Sequence, residues 1–335
     1  MTENDFLGVN NKDENYTGSA KLEYLFPEQK LLSCIFIKYK AEDGQIVQDF
    51  SRIGFGGTAY TPQNLKNSAI EYGDRPYASL TFLSIGNTFY DWNKHVNIDS
   101  ELIIGKIGGN GPGGVQSYIH ENHWFGSVRD IPQGWHNQIG YKGSLILNYN
   151  VRYQELISLD PEKKEKSNTF RASWLGKVDL GNYMINFQGG MKFSLFNQKD
   201  NYNSDILRSR LSNKEAENKE VSDTIYQKAD VKVEVKEDKE KKNPGCWFKI
   251  NFYAEPNIRL AAYNATLEGL LFNDHSVYKI KHSDVKRLLF EITGGVDVLL
   301  WNTVYIKYAF FGRTKEYVDG KPFHTWGGAT IGVNW

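Results

Sequence analysis

Long segments in which apolar and polar residues alternate recur along this chain, and they limit the folds that it can adopt. A period of two is typical of a β-strand with one apolar and one polar face. The segments "FRASWLGKVDL" (170–180) and "YMINFQGGMKFSLF" (183–196) each run for ten residues or more, against about 5 to 6 in an ordinary strand. A third segment places Phe248, Ile250, Phe252, Ala254, Ile258 and Leu260 on one face and Lys249, Asn251, Tyr253, Glu255, Asn257 and Arg259 on the other.

Long strands of this kind fit two architectures. In a soluble sandwich the apolar face points into a core, whereas in an outer-membrane barrel it points at lipid and the polar face lines the interior. Strand length favours the barrel, since a tilted strand needs about 9 to 11 residues to span a bilayer. The final segment, "ATIGVNW", agrees, because an alternating strand that ends on an aromatic residue resembles the last strand of bacterial outer-membrane barrels.

Composition narrows the class of protein further. The 335 residues include 40 Lys plus Arg and 40 Asp plus Glu, so nucleic-acid binding has no support from net charge. The 20 Tyr, 19 Phe and 31 Gly suit many strands joined by turns. No apolar run approaches the roughly 18 to 20 residues of a membrane-spanning helix. The two cysteines, Cys34 and Cys246, leave one disulfide open as an alternative.

The sequence predicts a single domain over residues 1–335. Its fold class is all-β: an antiparallel, up-and-down transmembrane β-barrel of about twelve strands, with a short helix in an extracellular loop. The segment "LLSCIFIKYK" (31–40) either extends the second strand or forms a hairpin of its own, and the charged insert 197–245 is interpreted as a connection without chemistry. The strands are expected at the amino end to Phe6 and at 17–26, 50–60, 77–88, 96–107, 138–155, 168–180, 183–195, 246–263, 286–297, 303–314 and 323–335.

Three loops of this barrel are rich in polar residues. In an up-and-down barrel the loops after strands one, three and five emerge at the same end. These loops are the stretches densest in Asn, Asp, Gln, Gly and His. We predict that they form one polar constellation at the extracellular end, with the insert 197–245 on the periplasmic side.

The third of these loops contains "GGNGPGGVQSYIHENHW" (108–124), in which Gln116 and His120 are four residues apart. If residues 115–124 are helical, both side chains project from one face, because four residues is just over one helical turn. The run is not a phosphate loop, since no Gly-Lys-Ser/Thr precedes the helix. A lone histidine is more often structural than catalytic, so the pair needs support from the rest of the chain.

Several motifs together carry a resemblance to a known family. In chain order they are "END", "YTG" after an acidic loop, "GDRPYA", "GPGG" before Q-x-x-x-H, P-x-GW-x-NQI and "YNATLEG". Over its whole length the chain resembles the outer-membrane lipid A 3′-O-deacylase family. The resemblance implies a twelve-stranded barrel, open sideways to the outer leaflet, that hydrolyses the 3′-linked acyloxyacyl ester of lipid A with calcium as its cofactor.

The resemblance also implies roles for particular residues. His120 would be the general base that takes a proton from water, a role that typically contributes about 10² to 10⁴ in rate. Asp5 and Asn4, with loop carbonyls, would bind calcium, and the ion would stabilise the oxyanion that forms on the ester. Thr17 and Gln116 would position water, metal or substrate through hydrogen bonds.

Two basic residues are candidates for substrate binding. Lys66 resembles a family lysine that would meet a phosphate of lipid A. Arg75 would either bind substrate too or be a structural partner of Asp74. His120 is preferred as the base because its spacing from Gln116 matches the family, and its rivals are His95, His123 and His136.

The amino end departs from the family pattern. About ten residues should precede Asn4 to cross the membrane, but only Met1, Thr2 and Glu3 do, and no signal peptide is present. We therefore expect a chain that starts late, from a monomeric protein of the bacterial outer membrane whose partner is lipid A or lipopolysaccharide. Two alternatives come from other classes: a non-catalytic outer-membrane barrel, either a channel or a structural protein, and a soluble two-sheet binding protein.

Overall fold

The computed structural model describes residues 1–4, 7, 15–27, 34–38, 47–91, 93–124, 130–157, 170–196, 248–272, 274–301 and 303–333. Within them, antiparallel strands form a closed barrel in which each strand pairs with its neighbours in the chain and the first pairs with the last. This confirms the predicted all-β barrel. The strands are β1 (Thr2–Asn4), β2 (Asn15–Pro27), β3 (Val47–Thr61), β4 (Ala78–Asp91), β5 (Val96–Ile107), β6 (Ser144–Leu156), β7 (Phe170–Gly181), β8 (Met184–Phe196), β9 (Phe248–Asn264), β10 (Leu288–Leu300), β11 (Val304–Thr314) and β12 (Phe323–Val333).

The helical segments of the described residues are short. Helix α1 (Pro112–Glu121) lies in the connection between β5 and β6, and α2 (Ala265–Glu268) follows β9. Single turns of 3₁₀ helix cover Trp135–Asn137 and His282–Asp284. No helix in the described part of the chain is long and apolar enough to cross a membrane.

The apolar faces of the strands point outward. On β9, Phe252, Ile258 and Leu260 are exposed, whereas Asn251 and Glu255, on the opposite face, are buried inside the barrel. A water-soluble sandwich buries the opposite set, so this orientation excludes the soluble two-sheet alternative. It is the orientation that a barrel adopts in lipid.

Ion pairs cross the interior of the barrel. Glu255 on β9 contacts Lys192 at 2.9 Å and Arg152 at 3.0 Å, and Glu291 on β10 contacts Arg259 at 2.9 Å. Each of these contacts joins side chains from different strands. The polar face of the alternation is therefore satisfied by charge pairing within the lumen, as buried charges require.

β1 is short but joins both of its neighbours. Thr2 lies opposite Ala329 of β12 and Ala20 of β2, and Asn4 lies opposite Gly327 and Gly18. The sequence predicted a first strand that reaches Phe6, and both Asp5 and Phe6 lie outside the described residues. Three paired residues are sufficient to close the ring of strands.

The start of the predicted sixth strand and the predicted segment 31–40 also differ from the structure. The sixth strand was expected from residue 138 but begins at Ser144, because Gly140 and Gly143 have φ angles of +63° and +82°, which no strand adopts. In the segment 31–40, residues 34–38 form a turn and a bend. Neither an extension of the second strand nor a hairpin is seen in that described part. The insert 197–245 and Cys246 lie outside the described residues.

The loops at one end of the barrel contact one another. The amide of Ile139 donates to the carbonyl of Tyr77 at 2.8 Å, and the hydroxyl of Tyr317 donates to Asp74 at 2.9 Å. The connections after β3, β5 and β11 therefore meet, as the order of strands predicts. Which side of the membrane this end faces stays a prediction.

Candidate active site

The outer wall of the barrel has a recess where β1, β2 and β3 meet. Lower on this wall, outward positions carry large apolar side chains, such as Leu22 (78 % exposed) opposite Phe55. Towards the loop end, the same faces place Gly18 opposite Asn4 on one side and Ala59 on the other. Because Gly18 and Ala59 are small, they leave space beside the wall.

Helix α1 covers this recess. Pro112 stands in its first turn, where a missing N–H costs nothing, so the helix begins three residues earlier than the predicted Val115. A Cβ atom on Gly57 would lie only 2.7 Å from Cγ of Pro112, which makes glycine necessary at the contact between the helix and β3. The helix ends at Glu121, and the side chain of Asn122 donates to the carbonyl of Tyr118 at 2.8 Å.

The helix turns its polar pair towards the barrel. Gln116 and His120 are 8 % and 4 % exposed, whereas Tyr118, on the other side of the helix, is 55 % exposed. The predicted arrangement, with both side chains on one helical face, is confirmed. That face is the one packed against the wall of β3 and β4.

Between α1 and the wall lies a cavity of about 950 Å³. A volume of this size is at the upper end of the range for small-molecule sites. It brings together four of the predicted site residues: Asn4, Thr17, Gln116 and His120. The rest of its lining is largely apolar or small, and includes Leu7, Gly18, Ala20, Leu22, Phe55, Gly57, Ala59, Val115, Ile119 and Trp124.

Thr17 reaches the cavity because of a strand irregularity. The pairing of β2 with β3 shifts register between Tyr16 and Gly18, which is the mark of a β-bulge. The hydroxyl of Thr17 shares a hydrogen bond of 2.6 Å with the hydroxyl of Thr61, and both residues are buried. A bulge next to a site redirects one side chain, and here that side chain is Thr17.

His120 and Gln116 differ in their hydrogen bonds. Nδ1 of His120 lies 2.7 Å from the backbone carbonyl oxygen of Asp130. A carbonyl only accepts, so Nδ1 donates and carries the proton, which leaves the lone pair of the neutral ring on Nε2. Both amide atoms of Gln116 are buried without a hydrogen-bond partner among the residues that the structure describes. Buried polar atoms of this kind can form hydrogen bonds to a group that enters the cavity.

Lys66 and Arg75, the two candidates for substrate binding, are placed differently. Lys66 stands at the surface beside the cleft, with its ammonium 3.0 Å from the carboxylate of Asp130. Arg75 is fully buried away from the cleft, where it pairs with Glu316 and donates to the hydroxyl of Thr266 at 2.7 Å. The geometry therefore gives Arg75 a structural role, although its side-chain partner is Glu316 and not the expected Asp74.

The rival histidines lie outside the cavity. His123 and His136 are exposed, and His95 stands in the turn between β4 and β5, at the opposite end of the barrel. The sequence pattern did not identify the small residues of β2 and β3 that line the cavity, or Thr61 and Asp130 as hydrogen-bond partners of the site. These small residues can be seen in "YTGSA" and "GFGGTA", where Gly and Ala replace large residues at outward positions.

The described residues of the site carry the type of donor atom that a hard cation binds. Asn4, Thr17 and Gln116 offer neutral oxygen donors, which calcium accepts readily. Asp5, the carboxylate expected to bind the ion, lies outside the described residues. Within the described residues, no three His, Cys, Asp or Glu side chains are grouped so as to hold a metal ion.

Comparisons with known proteins agree with this architecture. A solved structure described as "LpxR from Salmonella typhimurium" matches with a TM-score of 0.65 and 14 % identity, over 100 % of this chain and 98 % of that chain. At this identity, the match shows the fold alone. A comparison with curated proteins gave no match. The family model for "Outer membrane protein LpxR" matches residues 1–335. The chain therefore belongs to the LpxR family of outer-membrane proteins, as its motifs indicated.

Proposed function

We propose that the protein is an outer-membrane hydrolase that removes the 3′-linked acyloxyacyl chain of lipid A. Membership of the family supports a lipid A deacylase. The observation that carries the proposal is the placement of a buried histidine, and of a buried amide without a partner in the described part of the chain, in a largely apolar cavity on the outer wall of the barrel. An ester with long acyl chains needs such a site, because its chains stay among apolar side chains while the carbonyl meets polar ones.

His120 is the general base of the proposed reaction. Its Nε2 atom takes a proton from a water molecule, and the oxygen of that water attacks the ester carbonyl. The hydrogen bond from Nδ1 to Asp130 holds the ring in the tautomer that this step requires. The proton then passes from His120 to the sugar oxygen as the ester bond breaks, which releases the acyl chain as a carboxylic acid.

Gln116 and Thr17 orient the reacting groups. The amide of Gln116, which has no partner among the residues that the structure describes, offers its NH₂ group as a donor and its carbonyl oxygen as an acceptor to the cavity. Its N–H donates to the oxygen that becomes negative, or its carbonyl accepts from the attacking water. One preorganised donor to an oxyanion is worth roughly 10² to 10³ in rate.

The family resemblance also implies calcium. Asn4 and Asp5 would hold the ion, together with oxygen atoms of neighbouring residues. A bound divalent cation supplies Lewis-acid polarisation of the ester carbonyl. Asn4 lines the cavity from β1 and His120 lines the same cavity from α1.

The proposal is tested with purified protein and lipid A in detergent micelles. The expected product is an acyloxyacyl acid, identified by mass, with His120→Ala giving no product and His123→Ala matching the unchanged protein. The His123 variant is the matched control because that exposed histidine stands just after α1. Folded protein that leaves lipid A intact, with calcium supplied, contradicts the proposal and favours the non-catalytic barrel.

A further inference from the structure

We propose that the loop between β3 and β4, residues 62–77, sets the ring orientation of His120, with Lys66 and Asp130 as positioning residues. The inference rests on the proposed function only in that His120 is the reacting base. It gives Lys66 a role that acts through another residue, where the family resemblance implied direct contact with a phosphate.

The first link runs from the histidine to Asp130. The ring donates from Nδ1 to the carbonyl of Asp130 at 2.7 Å. Partners of this kind fix the tautomer and the angle of an imidazole, and the position of its other nitrogen follows from them. Any displacement of the Asp130 backbone therefore moves the lone pair on Nε2.

The second link runs from Asp130 to the loop. The side chain of Asp130 pairs with Lys66 at 3.0 Å, and three residues later the amide of Gln133 donates to the carbonyl of Leu65 at 2.9 Å. Neighbouring residues of the loop thus hold the segment that carries the acceptor of His120. A further bond joins the side chain of Asn137 to the carbonyl of Ser68 at 2.9 Å.

Hydrogen bonds within the loop between β3 and β4 hold its backbone in place. The amide of Lys66 donates to the side chain of Asn64 at 3.2 Å, and the amide of Gln63 donates to Asp74 at 2.8 Å. Leu65 is buried. Because these bonds fix the loop, its contacts with Asp130 and Gln133 also fix the position of Asp130.

The position of Lys66 favours this role over a direct one. Its side chain is 73 % exposed and paired with Asp130, and it does not line the cavity that contains Gln116 and His120. An exposed ion pair contributes little, so we expect each single substitution to lower kcat by a factor of about five at most. A lysine that neutralised the substrate directly would instead affect KM.

The experiment compares Lys66→Gln, Asp130→Asn and the double variant, by kinetics and by ¹⁵N NMR of the histidines. The NMR spectrum reports the tautomer of His120 in folded protein without substrate, so it decides the inference even if no deacylation occurs. The control is Lys281→Gln, which removes an exposed lysine from a different loop at the same end of the barrel.

We expect both single variants to shift His120 away from the tautomer protonated on Nδ1 and to lower kcat alike. The double variant should be no worse than either one, because both substitutions break the same contact. Lys66→Arg should restore the signal and the rate. An unchanged histidine spectrum in Asp130→Asn overturns the proposal, and so does a Lys66→Gln defect confined to KM, which indicates direct binding of substrate phosphate.

Discussion

Gln116 and His120 lie one helical turn apart on α1 and face the same cavity, but within the described part of the chain only His120 has a hydrogen-bond partner there. His120 donates to the carbonyl of Asp130, whereas the amide of Gln116 is buried and unpartnered among the described residues. A buried polar group without a partner costs about 1 to 3 kcal/mol. A ligand in the cavity that forms hydrogen bonds to the amide would remove this cost.

The first prediction concerns the free-energy cost of burying the Gln116 amide. Gln116→Met keeps the size of the side chain and removes the two unpaired polar atoms, so the melting temperature in detergent should stay the same or rise. Turnover of lipid A should fall roughly 10²-fold, since a donor to the oxyanion is lost. The control is Gln133→Met, at an exposed position. Undiminished turnover in Gln116→Met contradicts the role given to the amide.

A second prediction concerns the contact of α1 with the wall. Gly57→Leu forces a side chain against Pro112, so the helix must move and Gln116 must leave its place. The barrel should still form, and turnover should drop at least 10²-fold, because misplacing a catalytic group by about 1 Å has this effect. Gly189→Leu is the matched control, since nothing lies within 4 Å of a Cβ atom at that glycine. Equal turnover in both variants argues against a site beneath α1.

The third prediction concerns the metal. Turnover should stop with a chelator and return with calcium better than with magnesium, because magnesium demands a strict octahedral geometry that calcium does not. Asp5→Ala should raise the calcium concentration needed for half-maximal rate and lower the maximal rate. Calcium should also raise the melting temperature of the unchanged protein and not that of Asp5→Ala, because a ligand stabilises the state that binds it. Full turnover in excess chelator excludes the metal from the mechanism.

The fourth prediction follows from Glu316, just after β11. Burial alone would raise the pKa of this carboxyl, but the guanidinium groups of Arg75, Arg313 and Arg259 outweigh burial and lower the pKa from 4.5 to about 2. Because the folded pKa is the lower one, the carboxylate stabilises the fold above pH 4.5, and this contribution is lost as the pH falls towards 2.

Thermal unfolding at several pH values tests this, with the gel mobility of unboiled protein as the measure of folded barrel. The melting temperature of the unchanged protein should fall between pH 4.5 and pH 2. Glu316→Gln should melt lower at pH 7, because it leaves a buried arginine unpaired, and should lose part of the dependence on pH. Asp319→Asn, at an exposed position of the same loop, should behave like the unchanged protein. An unaltered pH profile in Glu316→Gln contradicts the assignment.

The fold was largely predictable because the alternation of apolar and polar residues directly indicates a strand conformation of the backbone. A strand that faces lipid on one side and a polar lumen on the other shows its period of two along its whole length, as β9 does. The start of β6 was not predictable in this way. "QIGYKGS" continues the apolar pattern, but the turn depends on the positive φ angles of Gly140 and Gly143, which the pattern does not show.

The site was predictable only in part. The i,i+4 spacing placed Gln116 and His120 on one face, and family motifs added Asn4 and Thr17 to them. Asp130 was not identified because it contributes a backbone carbonyl, which any residue possesses. Arg75 stands in the motif "GDRPYA", but its side chain is buried in an ion pair with Glu316. The sequence did not reveal this pair because Glu316 comes from a loop 241 residues away.

Deacylation of lipid A at the 3′ position can be measured by mass spectrometry of lipid A from a Gram-negative host that makes the exported protein. We expect a new lipid A species lighter by one acyloxyacyl chain, with the fragment ions placing the loss at the 3′ position. The species should be absent from cells that make His120→Ala at the same level in the outer membrane. Unchanged lipid A in cells whose outer membrane contains the folded, unsubstituted barrel would show that the protein does not have this activity.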